Sequence, residues 1–75
     1  MNKYLFLFYN YAGIPIGWEC FDPKEPVSDA MAVQQAFNIL TREPFYSSVS
    51  VFTYGHASER LLVCIIHKKH GKETT

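Results

Sequence analysis

The chain has 75 residues, room for one domain and not two, because independent domains rarely fall much below about 50 residues. Seven basic residues offset seven acidic ones, and that neutrality argues against a protein whose affinity comes from phosphate backbones. Apolar residues make up 48% and charged ones 19%, which excludes a disordered polar tail, and the twelve aromatic rings exceed what so small a core readily hides.

Residues 3–11 (KYLFLFYNY) are almost all strand formers and end at an Ala12-Gly13 turn signal. Residues 14–21 (IPIGWECF) then return as a second strand. Pro15 lacks an N–H and Gly17 lacks a side chain, so this strand belongs at a sheet edge, with a bulge. Residues 22–26 (DPKEP) are a loop. Ser28 is the expected N-cap of a helix ending near Arg42, because Pro44 disfavours helical geometry at Glu43. Ala30, Val33, Phe37 and Leu40 recur at helical spacing and are expected to be its core face.

Two further strands follow, residues 46–55 (YSSVSVFTYG) and 60–69 (RLLVCIIHKK), joined by a short loop. Residues 61–66 are apolar on both faces, the pattern of a strand buried on both sides. The expected architecture is α+β, in the order β-β-α-β-β. One helix packs on a four-stranded, largely antiparallel sheet over residues 1–70, and residues 71–75 form a flexible tail.

Alternation along the first strand puts Leu5 and Leu7 on one face and Tyr4, Phe6 and Phe8 on the other. Val49 and Val51 are expected to join the leucines under the helix, leaving Phe52 and Tyr54 opposite. One helix covers only one face, so Tyr4, Phe6, Phe8, Phe52 and Tyr54 are expected to form an exposed aromatic face that holds a partner. Trp18, on the edge strand, is a further contact candidate, and Glu19, Asp22 and Glu25 are expected to form an acidic rim beside it.

The sequence carries little chemistry. Cys64, His67 and His70 have ligand-like spacing, with Cys20 as a fourth donor. Residues three apart on a strand point to opposite faces, however, so no metal or other cofactor is expected. His56 is a conceivable base, but no nucleophile elbow, phosphate-cradling loop or paired carboxylates accompany it, and no enzyme is expected. Aromatic rings on a sheet are also the stacking platform of RNA-recognition domains. Those have βαββαβ order, and here basic residues cluster only at Lys68, Lys69 and Lys72.

Two cysteines do not make a secreted disulfide framework. The apolar start breaks at Asn10 with no small-x-small cleavage site, and residues 17–19 lack a lipid-attachment pattern. A cytoplasmic protein is expected, in the host cytoplasm if phage-encoded, with no membrane partner. The functional expectation is a small non-enzymatic protein-binding module. An inhibitor or accessory protein of phage or mobile-element type, such as an anti-CRISPR protein, fits the size; it would bind another protein, or a second copy as a homodimer. A single-stranded RNA- or DNA-binding protein using the aromatic face and the basic tail is the alternative.

Overall fold

Asn10 makes the first chain reversal. Its side-chain oxygen accepts hydrogen bonds from the backbone N–H groups of Ala12 and Ile14, both at 2.9 Å. Gly13 takes the left-handed conformation the turn needs (φ 81°), which costs a glycine nothing. The turn joins β1 (Tyr4–Tyr9) to β2 (Pro15–Phe21) in a computed structural model that describes residues 3–54 and 59–68. The remaining elements are α1 (Asp29–Arg42), β3 (Ser48–Tyr54) and β4 (Arg60–His67). The tail from residue 71 and the His56 loop lie outside the described residues.

The sheet order is β2-β1-β3-β4, with every neighbouring pair antiparallel. This is the α+β architecture expected from sequence. β2 occupies an edge, and its pairing with β1 shifts register between Phe8 and Tyr9, at the bulge that Pro15 and Gly17 foretold. Because β2 and β3 flank β1 and both run antiparallel to it, α1 is the crossover between two parallel strands.

The helix ends where the sequence says it should. The Ser28 side chain accepts the Met31 N–H at 3.2 Å, and Glu43, in extended conformation before Pro44, donates its N–H to the Ile39 carbonyl. The buried face of the helix is different. Ala32, Ala36, Ile39 and Leu40 are buried and Val33 is half-buried, but Ala30 is exposed and Phe37 is 41% exposed. The helix therefore turns Ala32 and Ala36, not Phe37, to the sheet.

The sheet supplies the bulk those alanines lack. Tyr4, Phe6 and Phe8 are each at most 1% exposed and form one core cluster with Val49, Val51 and the buried helix residues. Register explains the grouping, since Phe6 lies opposite Val51 and Phe8 opposite Val49. Directly opposed residues share a face. Tyr4, Phe6 and Phe8 are thus the core under the helix, which corrects the expectation that they form an exposed face. Covering three rings hides more apolar area than covering Leu5 and Leu7 would.

Side groups close the ends of this layer. The Tyr4 hydroxyl donates to Asp29 Oδ1 at 2.7 Å, tying β1 to the first turn of the helix. Tyr46, in the loop after the helix, stacks on Phe8 with ring centroids 4.4 Å apart and planes 13° from parallel. Its hydroxyl lies where a Cβ on Gly17 would stand, only 2.6 Å from that position. The glycine on β2 therefore makes room for the ring that seals the core.

Candidate binding face

Nothing in the described chain covers the opposite side of the sheet. Leu5, Leu7 and Tyr9 of β1 face that way, and their cross-strand partners do too: Cys20 and Trp18 on β2, and Phe52, Ser50 and Ser48 on β3. β4 adds Leu62 opposite Phe52 and Ile65 opposite Ser50. Four strands spaced about 4.8 Å apart, six to eight residues long at about 3.3 Å per residue, make a footprint of roughly 400 Å². The apolar part of it, interrupted by Ser48, Ser50 and Arg60, is of the size of the largest patch on a typical monomer, and such patches often serve binding.

Exposure varies across the face. Leu5, Ser48 and Ser50 are buried at its centre, while Trp18 is 66% exposed near one edge and Leu62 and Ile65 are half exposed near the other. Tyr9 bends over the middle, its hydroxyl accepting from Ser50 Oγ at 3.3 Å. The Arg60 guanidinium lies 5.7 Å from the Phe52 ring centre, a cation–π contact. Lys3, Tyr4, Cys20, Phe21, Asp22 and Tyr54 line a cavity of about 310 Å³ at one end.

Of the residues singled out in the sequence, Trp18, Phe52 and Tyr54 share this face. Phe6 and Phe8 lie beneath the helix, out of reach of a partner, and Tyr4, 1% exposed, belongs to the same core although it borders the end cavity. Glu19 lies opposite Phe6, on the helix side of β2, so it does not border the uncovered face. Asp22 and Glu25 are exposed in the loop after β2. Lys68, in the expected basic tail, donates its Nζ to the Glu43 carbonyl at 2.9 Å; Lys69 and Lys72 lie outside the described residues. Leu5, Leu7, Leu62 and Ile65 are the face residues that sequence reading missed. The pairing of β1 with β3 reveals the first two, and the bulged pairing of β3 with β4 the others.

β4 also departs from expectation. Its apolar run predicts burial on both sides, yet it is an edge strand with Leu61 46%, Leu62 55% and Ile65 50% exposed. Cys20 and Cys64 lie on opposite edge strands, and Cys64 and His67 face opposite sides of the sheet, so these donors do not converge. His70, the remaining candidate ligand, lies outside the described residues. Among the described residues no cluster of three His, Cys, Asp or Glu side chains is placed to hold a metal ion.

The two thiols differ. Cys20 is exposed, whereas Cys64 is half-buried and its burial pushes the thiol pKa up. A raised pKa leaves less thiolate at any given pH, so Cys64 is the poorer nucleophile. At pH 8 a maleimide should modify Cys20 at least about tenfold faster than Cys64 in the folded protein. Mass spectrometry of a time course measures this, and equal rates would refute the placement of Cys64.

Comparison of the chain with protein-family models, curated proteins and solved structures gives no match. Among the described residues no helix is long and apolar enough to cross a membrane.

Proposed function

We propose that this chain is a non-enzymatic module that binds another protein through the uncovered sheet face. The observation that carries this is Trp18, two-thirds exposed on a sheet face that no other element of the described residues covers. Trp is the side chain most enriched where a few contacts dominate binding energy. Two cationic side chains border the face, Arg60 and Lys3, and Asp22 adds one acid beside Lys3 at the cavity. The partner that fits is a protein with an apolar patch bordered by acids. An inhibitor or accessory role in the cytoplasm, of the kind that small phage and mobile-element proteins fill, is the setting we propose.

The experiment compares wild-type protein with Trp18→Ser as bait in lysate of the source cell. Trp18→Ser should remain folded, and its affinity for the recovered partner should fall at least about 30-fold, or roughly 2 kcal/mol. Unchanged affinity would remove the face from recognition. A second reading is favoured by the Arg60–Phe52 pair, which lies across the same face from Trp18 and resembles part of a platform for single-stranded nucleic acid. Titration with oligo(dT) and oligo(U) between 50 and 200 mM salt separates the two. Binding that collapses steeply with salt supports nucleic acid, and salt-insensitive protein binding supports the first reading.

A further inference from the structure

The two sheet edges are built differently. β2 carries Pro15, Gly17, a bulge and the charged Glu19, all devices that discourage a further strand. β4 carries no proline, glycine or charge between Leu61 and Ile66, and its large side chains are exposed on both faces. An edge of that composition is a ready template for another strand.

A bulge in β4 decides which strand fits. Val51 lies opposite Cys64 but Phe52 opposite Leu62, so Val63 is the extra residue. Arg60, Leu62, Ile65 and His67 lie opposite Tyr54, Phe52, Ser50 and Ser48 and so face the open side. Leu61 lies opposite Thr53 on the helix side, and Val63, Cys64 and Ile66 pack against the helix-side core. Along β4 the sides therefore run open, helix, open, helix, helix, open, helix, open. That order reads the same from either end.

An antiparallel strand must place directly opposed residues on the same face. A two-fold axis between Val63 and Cys64 meets that condition at every position, setting Leu61 against Ile66, Leu62 against Ile65 and Val63 against Cys64 of a second copy. Without the bulge the same axis would oppose residues on different faces. We propose that β4 is a homodimer seam, pairing with β4 of a second copy to give a continuous eight-stranded sheet with both helices on one side. The chain's zero formal charge sets no long-range repulsion against that approach. The seam shares Leu62 and Ile65 with the margin of the open face, but it rests on the β4 edge and stands whether or not the rest of that face holds a partner.

Sedimentation equilibrium over a range of concentrations tests it with two variants. Leu61 is on the helix side of the seam and Trp18 is on the open face at the far edge, so only edge pairing involves Leu61. The wild-type protein should associate to twice its 8.6 kDa. Leu61→Lys should weaken the dimer at least about 30-fold, and Trp18→Ser should leave it unchanged. A wild-type protein that stays monomeric overturns the proposal, as does a dimer lost in Trp18→Ser but kept in Leu61→Lys, which would mean stacked faces. Isotope-filtered NMR on mixed labelled and unlabelled wild-type chains gives a test independent of any variant. Contacts between Leu62 and Ile65 methyls of different copies are expected, and their absence from the dimer overturns the register.

Discussion

Phe8→Ala is expected to unfold the domain. Phe8 is fully buried at the middle of the sheet, opposite Val49 on one side and Gly17 on the other, with the Tyr46 ring stacked on it. Truncation removes its apolar area and also leaves a void, since Tyr46 is held by the loop that follows the helix and the neighbouring β2 residue offers no side chain to fill the space. Such changes cost about 3–5 kcal/mol, against a total stability near the low end of roughly 5–15 kcal/mol for a chain this short. Urea denaturation followed by circular dichroism measures the loss. Phe37→Ala is the control: at 41% exposure on the outer helix face, it should cost about 1 kcal/mol or less. If the two variants exchange behaviour, the helix is rotated from the placement described above.

Ala36→Leu should destabilise by about 3 kcal/mol through overpacking. Ala32 and Ala36 are completely buried against a sheet layer already filled by Tyr4, Phe6 and Phe8. The helix can approach those rings because its contact residues are small, and a branched side chain at 36 has nowhere to go without lifting the helix. The Tyr4–Asp29 hydrogen bond would be strained by the same movement. Thermal unfolding should show the drop. A variant as stable as wild type would mean that the layer contains unfilled space.

Element types and order were legible in the sequence because they rest on local chemistry. Ser28 and Pro44 bracket the helix, Asn10 and Gly13 make the first turn, and Pro15 and Gly17 send β2 to an edge. The existence of an uncovered face was legible too, since one helix cannot cover both sides of a sheet. Which face stays uncovered was not. Alternation divides β1 into rings and leucines but does not say which half meets the helix; that is set by pairing with β3, a contact between segments far apart in the chain. The helix face expected from Ala30, Val33, Phe37 and Leu40 was rotated for a related reason. Phe37 looks like core beside Ala36 when each is judged alone, and only the bulk of the opposing rings makes alanine the better fit. Phe52 and Tyr54 were legible because Val49 and Val51, on the alternate positions of β3, do meet the helix.

The first strand of the chain lies inside the sheet, and this shapes how the molecule assembles. Each half of the sheet is a hairpin of consecutive strands, and the two halves meet only along β1 and β3, with α1 as the tether between them. Local hairpins close quickly, whereas a join between distant segments waits on chain diffusion. Folding is then the docking of two preformed pieces. Asn10→Ala should slow folding by nearly as much as it destabilises, while Val51→Ala should act chiefly by speeding unfolding, as stopped-flow chevrons would resolve. Until docking is complete, β1 and β3 each present an unpaired edge, with the core rings Tyr4, Phe6 and Phe8 on one and Val49 and Val51 on the other. A tether as long as this helix lets either hairpin complete a neighbouring copy instead of its own. Strand exchange at high concentration is therefore the characteristic hazard of this topology.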